Sequence, residues 1–378
     1  MKIILFANTE WYLFNFRLSL ARALQARGHE VLLISPPGEF GARLQAQGFR
    51  WQALPMERRS LNPLRELRLL AHLWRLYRRE RPGLVHHFTI KCVVYGSIAA
   101  LLARGPARVN AVAGMGYVFT NDALKARLLR PVVRALMRLA FNGRGARLIL
   151  QNSDDVAASA KERLAQAERV RLVRGSGVDL SRFQPGGQTM GAGEPTRVVL
   201  AARLLWDKGI AEYVAAARQL RAQGLPIQFL LAGVPDPGNP AAIPQATLDG
   251  WAEEGVIELL GQVSDMAALF ASAHIAVLPS YYGEGLPKSL IEAAACALPL
   301  ITTDMPGCRE VVTHEVHGLL VAVKDAGALA RAIERLHQNP GWARQLGLAA
   351  RQRAVAEFDE RIVIEKTLAV YSELLPGF

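Results

Sequence analysis

The side chains best suited to chemistry lie in the second half of this 378-residue sequence. Arg203 and Lys208 come directly after the apolar run 197–202. If that run is a strand, both side chains lie in a strand-to-helix loop at the carboxyl edge of a sheet, where α/β proteins bind ligands. An arginine fork and a lysine ammonium at one edge suit a diphosphate. Taken alone, the segment also fits an ordinary basic pair on the surface.

A second segment, 279–293, places two carboxylates on either side of a predicted helix start. Glu284 lies in a loop, Pro287 stands where the first helical turn should begin, and Glu292 follows on the helix. The free amides of a helix start can bind a phosphate, and the two carboxylates can hold sugar and ribose hydroxyls. Solvated acids at a helix start are the alternative interpretation.

Several nucleotide and hydrolase motifs are absent from the sequence. There is no G-x-x-x-x-G-K-[ST], no H-E-x-x-H and no serine elbow, and the pair Gly114 and Gly116 is followed by Phe119 where a dinucleotide fingerprint needs glycine. Because Arg203, Lys208 and a helix start can meet a diphosphate, and because the sequence offers no cluster of carboxylates, we expect no metal site.

The elements that must position these residues alternate along the chain, with short apolar runs between amphipathic helical patterns. Near-continuous Val, Ile and Leu runs favour parallel sheets that are covered on both faces. The first half predicts strands at 3–7, 30–34, 84–87, 109–112 and 148–151, and helices at 16–26, 64–79 and 124–141. The second half predicts strands at 197–202, 227–232, 256–260, 274–279 and 299–303, and helices at 209–222, 265–272, 286–296, 326–337, 340–356 and 359–375.

Two signals divide the chain near residue 185. The Gly- and Pro-rich stretch 184–196 has no apolar period and is typical of a linker. Residues 1–185 carry 30 Lys or Arg and 12 Asp or Glu, a net charge of +18, whereas the remainder carries −6 of the total +12. The positive half is therefore expected to meet a polyanion.

Two predicted helices of the first half are basic and amphipathic. Such helices can lie on anionic lipid, where each cation contributes about 1 kcal/mol. The first set comprises Arg58, Arg59, Arg65, Arg68, Arg75, Arg78, Arg79 and Arg81, and the second Lys125, Arg127, Arg130, Arg134 and Arg138. Solvated faces of ordinary helices are the alternative, and nucleic acid is not expected because no binding motif accompanies the charge.

Cysteine usage and hydropathy predict a cytoplasmic protein that is soluble or peripheral. Cys92, Cys296 and Cys308 are scattered, without metal-ligand spacing, as expected for reduced thiols. The N-terminal apolar run is too short for a signal peptide, and no stretch reaches the ~18 apolar residues of a membrane span.

The combination of Arg203, Lys208, Glu284 and Glu292, with seven residues between the two glutamates, resembles the signature of the family 4 retaining glycosyltransferases of the GT-B fold. A narrower resemblance is to bacterial transferases that build lipid-linked surface polysaccharides such as capsule and O-antigen. That resemblance is carried by the segments 12–17, 60–63, 114–117, 204–209 and 306–310.

The resemblance covers the whole chain and implies an α/β fold with two Rossmann-like, doubly wound domains that face a central cleft. Residues 1–185 would form the acceptor- and membrane-facing domain, and residues 186–358 the nucleotide-sugar-binding domain. Residues 359–378 would form a helix that returns to the first domain.

The resemblance also implies roles for individual residues. Arg203 and Lys208 would bind the donor diphosphate and offset the charge on the leaving group, and Glu284 would hold hydroxyls of the transferred sugar. Further donor contacts are expected from Gly114, Met115, Gly116, Gln262, Val263, Gly285, Leu286, Pro287 and Glu292, the last of them at the ribose. Contacts to acceptor or membrane are expected from Asn15, Arg17, Arg58, Arg59, His87 and Lys91.

One position departs from the family. Many members carry a histidine just after the fifth strand of the first domain, where this sequence has Ala113. The resemblance then favours front-side attack, in which the leaving phosphate oxygen accepts the proton. His86 and His87 lie near a predicted carboxyl edge and could contact substrate, or they could be packed histidines.

Together these features predict a peripheral enzyme on the inner face of the cytoplasmic membrane. It would transfer a HexNAc-type sugar from a UDP-sugar to an undecaprenyl-diphosphate-linked glycan with retention, and it would need no cofactor beyond the donor. A nucleotide-sugar epimerase of the same fold is one alternative. A non-catalytic basic protein that binds membrane or polysaccharide is the other.

Overall fold

The structure, a computed structural model, describes residues 1–58, 60, 62–103, 105–114, 124–187, 190, 194–236 and 238–378, with the backbone alone at 124–129. The chain forms two compact units. Unit 1 comprises Met1–Ser176 and Arg361–Phe378, and unit 2 comprises Gly177–Glu360.

Unit 1 is built on a seven-stranded parallel sheet in the order β3-β2-β1-β4-β5-β6-β7. Its strands are Lys2–Phe6 (β1), Glu30–Ser35 (β2), Arg50–Ala53 (β3), Leu84–Phe88 (β4), Ala107–Val112 (β5), Ala146–Leu150 (β6) and Val170–Leu172 (β7). Its helices are Glu10–Phe16 (α1), Leu18–Ala26 (α2), Phe40–Ala46 (α3), Pro63–Glu80 (α4) and Ile90–Leu102 (α5), followed by Leu124–Phe141, Ser153–Lys161 and Glu360–Ser372.

Unit 2 is built on a six-stranded parallel sheet in the order β10-β9-β8-β11-β12-β13. Its strands are Thr196–Ala201 (β8), Ile227–Ala232 (β9), Glu258–Gly261 (β10), Ile275–Leu278 (β11), Leu300–Thr303 (β12) and Gly318–Val321 (β13). Its helices include Ile210–Ala222, Gln245–Glu253, Met266–Ala271, Lys288–Ala295, Cys308–Val311, Ala326–Gln338 and Pro340–Arg353. The predicted class, α/β with two parallel-sheet domains, is confirmed.

The predicted helix 16–26 corresponds to α2, and the preceding helix α1 was not predicted. Arg17 ends α1 and precedes α2 with φ −131° and ψ 0°, which breaks the helical path. Leu13 of α1 and Leu20 and Leu24 of α2 are buried in the same core. The break turns Arg17 into the interior of unit 1, where it is 5% exposed.

The division between the units lies on the N-terminal side of the predicted boundary at 185/186. Val178 and Phe183 are buried in the core of unit 2. The Val178 N–H donates to the Phe358 carbonyl at 2.8 Å, and the Glu360 N–H donates to the Val178 carbonyl at 3.0 Å. Gly177 has φ +76°, and a Cβ there would lie 2.4 Å from the Glu360 Cα. The chain segments at Gly177 and Glu360 are therefore in close contact. The Gly- and Pro-rich stretch thus falls within the bounds of unit 2 and does not mark the division between the units.

The C-terminal helix Glu360–Ser372 packs within unit 1. Its Val363, Leu368 and Tyr371 are buried in the core beside the first strands of the sheet. The Tyr371 hydroxyl is 2.6 Å from His86 Nδ1. The returning helix therefore completes the core of the unit in which the chain began.

His87 was predicted to contact the acceptor, but it is a core residue of β4. Its ring is fully buried, with Nδ1 2.8 Å from Asn110 Oδ1 and Nε2 3.1 Å from the Tyr77 hydroxyl. A Cβ on Gly96 would lie 2.4 Å from the ring, so the glycine makes room for it. This prediction was wrong because β4 continues through both histidines, and the neighbouring polar groups occupy both ring nitrogens.

Burial lowers the pKa of His87 to about 4, which predicts an acid-sensitive fold. Below pH ~6.5 the unfolded chain takes up a proton at this position and the native protein does not, so the free energy of unfolding falls. By pH ~4 the loss from this residue approaches roughly 3 kcal/mol. Urea unfolding between pH 7 and pH 4 should therefore show a shallower loss for His87→Gln than for the wild type. The variant His72→Gln, at a half-buried helix position, is the control, and equal pH slopes for His87→Gln and the wild type would refute the assignment.

Candidate active site

Lys208 and Glu284 meet where the strand order of unit 2 reverses. Lys208 follows β8 and Glu284 follows β11, and these two strands are neighbours in the sheet. Helices that leave such a pair of strands diverge to opposite faces, which opens a crevice at the carboxyl ends. The predicted strand-to-helix loops thus lie side by side at the switch point of the sheet.

The loop after β8 is shaped by a glycine. Trp206–Lys208 forms a 3₁₀ turn, and Gly209 ends it with φ +71° before the helix Ile210–Ala222. A Cβ at Gly209 would lie only 2.1 Å from the Pro279 carbonyl oxygen at the end of β11. Glycine is needed here for both its backbone conformation and this close approach.

The Lys208 ammonium forms an ion pair with Glu284 Oε1. Lys208 is 8% exposed, and the Ser280 hydroxyl lies 3.2 Å from the same carboxylate oxygen. The loop that carries Glu284 is held by the Asp207 carbonyl, which accepts from the Tyr281 N–H at 3.0 Å and from the Ser280 hydroxyl at 3.1 Å. The structure thus brings the predicted lysine and glutamate into direct contact.

Arg203 has a partner that the sequence reasoning missed. Its guanidinium lies 2.7 Å from Asp236 Oδ2, and the arginine side chain is 46% exposed while the aspartate is largely buried. The segments on either side of Asp236 are hydrogen-bonded to the Arg203 loop. The Leu204 N–H donates to the Val234 carbonyl, and the Trp206 N–H donates to the Ala241 carbonyl. A signal was available, because Asp236 follows the predicted strand 227–232 at the same sheet edge as Arg203.

Glu292 lies on the helix Lys288–Ala295, one turn beyond Lys288. Its Oε1 is 3.6 Å from the Lys288 ammonium, which also donates to the Gly177 carbonyl at 3.0 Å. Burial raises the pKa of Glu292, and the positive charge of Lys288 opposes that shift. Glu292 is therefore a buried carboxylate within reach of a cation.

Among the described residues, the start of this helix has no side-chain cap. Pro287 is its N-cap, with no side-chain cap hydrogen bond in the part of the chain that the structure describes. Gly285, Leu286 and Pro287 are buried on the approach to it. A Cβ on Gly307 would lie 2.6 Å from the carbonyl oxygens of Glu284 and Gly285, so the Gly307 backbone packs closely against the loop that carries Glu284.

The predicted base-contacting loop lies at the same edge of the sheet. Gly261 ends β10 with φ +60°, and its carbonyl accepts from the Gly233 N–H at 2.8 Å. Gln262 is exposed, and Val263 packs against the core of unit 2. The loops after β8, β10 and β11 therefore contribute predicted donor residues to one edge, and the loop after β9 adds Asp236.

The predicted residues of unit 1 have different environments. Gly114 is buried after β5 with φ +79°, while Met115, Gly116 and Arg59 lie outside the described residues. Asn15 is exposed on α1, where its side chain donates to the Trp11 carbonyl at 3.0 Å. Arg58 is exposed in the loop before α4.

Lys91 was predicted to bind the acceptor, and the structure uses its ammonium internally. It donates to the carbonyls of Glu57 and Ser60 at 2.7 and 3.1 Å, and it pairs with Glu66 Oε1 at 2.8 Å. These three acceptors account for its three N–H donors. Lys91 therefore holds the 57–60 segment against the start of α4.

The described residues contain neither a metal-binding cluster nor a helix that could span a membrane. No group of three or more His, Cys, Asp or Glu side chains there is arranged to hold a metal ion. Within the same residues, no helix has the length and apolar character needed to cross a membrane.

Solved structures share this two-domain fold. A structure of Anabaena HepE in complex with UDP-glucose superposes with a TM-score of 0.79 at 20% identity, over 99% of this chain and all of the other. WaaG, a lipopolysaccharide biosynthesis glycosyltransferase, superposes with a TM-score of 0.73 at 16% identity over the full length of both chains. The fold is that of the GT-B class, which confirms the predicted architecture.

Family comparisons cover both units. The family described as "Glycosyl transferase 4-like" matches residues 2–153, and the family "Glycosyl transferases group 1" matches residues 195–339. The chain belongs to these group 1, family 4 glycosyltransferases. The epimerase and non-catalytic alternatives gain no support from these matches.

Two bacterial relatives show where the similarity lies. An N,N'-diacetylbacillosaminyl-diphospho-undecaprenol α-1,3-N-acetylgalactosaminyltransferase of Campylobacter jejuni is 27% identical over 99% of both chains. A UDP-Gal:α-D-GlcNAc-diphosphoundecaprenol α-1,3-galactosyltransferase of Escherichia coli is 25% identical over 74% of this chain and 72% of its own length.

The buried pair of Lys208 and Glu284 predicts strong energetic coupling. Removing one partner leaves the other charge buried and uncompensated, which costs about 3–5 kcal/mol, whereas removing both costs less than the sum. Urea unfolding of Lys208→Met, Glu284→Gln and the double variant should give a coupling free energy above ~1 kcal/mol. The exposed pair Arg335 and Glu315 provides the matched control, with coupling of ~0–1 kcal/mol. Additive effects at Lys208 and Glu284 would show that the two side chains do not pair.

Proposed function

We propose that this glycosyltransferase moves a HexNAc-type sugar from a UDP-sugar to a polyprenyl-diphosphate-linked glycan, with retention at the anomeric carbon. The observation that carries the proposal is the contact between Lys208 and Glu284 at the switch point of unit 2. A cation for phosphate and an acceptor for hydroxyls lie together there. A nucleotide sugar needs both within one site.

In this proposal the donor exchanges partners with the protein. The diphosphate takes Lys208 from Glu284 and Arg203 from Asp236, and the amides at the start of the helix Lys288–Ala295 add further donors. Glu284, released from the ammonium, accepts from hydroxyls of the transferred sugar. Each internal ion pair is thus replaced by an ion pair or hydrogen bond with substrate.

The remaining donor contacts follow from the placement of the loops. Glu292 accepts from the ribose hydroxyls, while Gln262 and Val263 lie along the base. Gly285 and Leu286 supply backbone amides beside the phosphates. Because arginine, lysine and helix amides meet the diphosphate charge, we propose that neither a metal ion nor a separate cofactor takes part.

Ala113 offers no base at the end of β5, so the proton must go elsewhere. We propose front-side attack, in which the acceptor hydroxyl forms its bond to the anomeric carbon on the face from which UDP departs. The electron pair of the broken bond leaves with UDP, and an oxygen of the leaving phosphate takes the hydroxyl proton. Arg203 and Lys208 stabilise the charge that develops on that phosphate.

The acceptor class rests on the two relatives described above. The names of both enzymes specify a sugar that is joined through a diphosphate to undecaprenol, and both specify α-1,3 transfer. The donor sugars differ, N-acetylgalactosamine in one and galactose in the other. We therefore propose that the acceptor carries a diphosphate-linked amino sugar, which is the feature that both names share. We propose a HexNAc donor because the relative that matches the whole chain transfers N-acetylgalactosamine.

A lipid-linked acceptor requires access to the membrane, and α4 has a suitable surface. Leu64 and Leu67 are 67% and 61% exposed, and the exposed arginines 68, 75 and 78 continue the same face along the helix. The opposite face buries Leu69, Leu73 and Leu76 in the core of unit 1. We propose that this outer face of α4, about 27 Å long, lies on the anionic inner surface of the cytoplasmic membrane.

Two members of the second predicted basic set, Arg134 and Arg138, are engaged within the protein. Arg134 pairs with Glu162, and Arg138 donates to the carbonyls of Arg163 and Glu162 at 2.9 and 3.1 Å. These side chains hold the segment after the helix Ser153–Lys161. The membrane proposal therefore rests on α4.

The transferase proposal predicts loss of turnover when Glu284 is removed. Purified protein should transfer a HexNAc from its UDP-sugar to a polyprenyl-diphosphate-linked amino sugar, and Glu284→Ala should lower kcat/KM by about 10²-fold or more. Glu315→Ala, on an exposed loop, is the control. Conversion of UDP-sugar to an epimer without acceptor would support an epimerase instead. A thermal-shift panel in which no nucleoside diphosphate stabilises the protein would argue against the site itself.

The membrane proposal predicts weaker vesicle binding when the outer face of α4 loses charge. Arg75→Gln with Arg78→Gln should weaken co-sedimentation with phosphatidylglycerol-containing vesicles about 30-fold, from ~1 kcal/mol per arginine. The double variant Arg331→Gln with Arg344→Gln in unit 2 removes the same charge elsewhere and should bind like the wild type. Equal weakening by both variants would mean that the attraction depends on net charge alone.

A further inference from the structure

Arg17 is a buried cation without a counter-ion in the described residues. It is 5% exposed, its guanidinium donates to the Tyr12 hydroxyl at 2.8 Å, and its Nε has no hydrogen-bond acceptor. No carboxylate lies within ion-pair distance of it in that part of the chain. Leaving a guanidinium uncompensated in a protein interior is strongly unfavourable, so an anion that reached it would be strongly attracted.

The guanidinium lies at the end of β4, the strand that leads into α5. Its central carbon is 4.4 Å from the centre of the Phe88 ring, and Phe88 is the last residue of β4. The next residue, Thr89, has φ +73° and begins the 13-residue helix α5. Arg17 is therefore held at the carboxyl edge of the unit 1 sheet, at the point where a helix starts.

The start of α5 has no side-chain cap and no carboxylate among the residues that the structure describes. Within the described residues, no side chain caps it, and its first turn carries no acidic residue. The first amides of a helix lack intrahelical acceptors and carry the positive end of its dipole. The ammonium of Lys91 in that turn is already committed to Glu66 and two carbonyls, so it does not compete for the same anion.

A second buried nitrogen beside Phe88 also lacks a partner. The His86 ring is centred 4.0 Å from the Phe88 ring, and its Nε2 has no hydrogen-bond partner. Burial, reinforced by the positive charge of Arg17, holds the pKa of His86 well below its usual range. Buried polar groups nearly always have a partner, so two orphaned nitrogens flanking one ring indicate a missing ligand.

We propose that Arg17 and the N-terminus of α5 form a binding site for the diphosphate of the acceptor. The inference rests on the proposed function, since it assigns the phosphate-binding residues of the same acceptor. Phosphate oxygens would accept from the Arg17 Nε and from the free amides of α5. The donor diphosphate has its own cations, Arg203 and Lys208, in unit 2.

Arg17→Lys keeps the charge and removes the planar fork, and it tests this site by kinetics. At saturating UDP-sugar, the KM for a polyprenyl-diphosphate-linked acceptor should rise about tenfold or more. The KM for the donor and the thermal stabilisation by UDP should not change. Arg22→Lys, on the exposed face of α2, is the matched control. A rise of both KM values, or of neither, would overturn the assignment.

Acceptors that differ in charge identify the group bound. Wild-type protein should prefer a diphosphate-linked acceptor over the same sugar on a neutral lipid by tenfold or more, and Arg17→Lys should reduce that preference. Inorganic pyrophosphate should compete with the acceptor in the wild type and compete less in the variant. Equal use of both acceptors by the wild type would exclude a diphosphate site.

A binding measurement separates failure of this inference from failure of the proposed function. With UDP present to fill the donor site, titration calorimetry of the wild type with inorganic pyrophosphate should detect one site, which Arg17→Met lacks. If Arg17→Met does not fold, Arg17→Lys replaces it, with at least tenfold weaker binding expected. No pyrophosphate binding by the wild type would overturn the site. Binding without sugar transfer to any lipid-linked acceptor would overturn the proposed function while the anion site remained.

Discussion

The ion pair between Lys208 and Glu284 is the constraint on which the organisation of unit 2 depends. It requires the loops after β8 and β11 to touch, and a Cβ at Gly209 or at Gly307 would collide with backbone carbonyls of the loop after β11. Burying one charge alone would be strongly unfavourable, so the pair stabilises the loops as a unit. The two charges cancel within the pair until a substrate with complementary charges binds.

The Arg203 and Asp236 pair repeats this arrangement one strand further along the sheet. Both cations that are expected to meet phosphate thus begin in contact with a carboxylate of the protein, which fixes their position without substrate. Phosphate binding then exchanges one anionic partner for another, so it avoids the full desolvation of a free lysine or arginine. Preorganised charges of this kind are what makes electrostatic stabilisation of a leaving group effective.

Much of this arrangement was predictable from sequence because it depends on local patterns. Continuous apolar runs located the buried strands, and residues just after those runs necessarily lie at one edge of a parallel sheet. The short strands β3 and β7 were missed because edge strands are half-exposed and lack a continuous apolar run. The burial of His87 depends on contacts between residues distant in sequence, which no spacing rule reveals. Asp236 could have been found, because it follows a predicted strand at the edge that carries Arg203. The linker signal was misleading because glycine, proline and a change of charge mark a loop and not the division between cores.

Lys208 and Arg17 represent opposite solutions to the placement of a cation in an interior. Lys208 has an internal carboxylate, so its charge costs little stability, and phosphate must displace that carboxylate. Arg17 has aromatic rings and one hydroxyl, so unit 1 carries an uncompensated charge and an arriving anion displaces no competitor. The first arrangement favours exchange of a donor that must bind and leave as UDP in every cycle. The second favours attraction of a diphosphate that stays joined to its lipid and sugar throughout the reaction. In the proposed reaction the two units therefore divide the phosphate chemistry according to whether the bond to phosphate is broken.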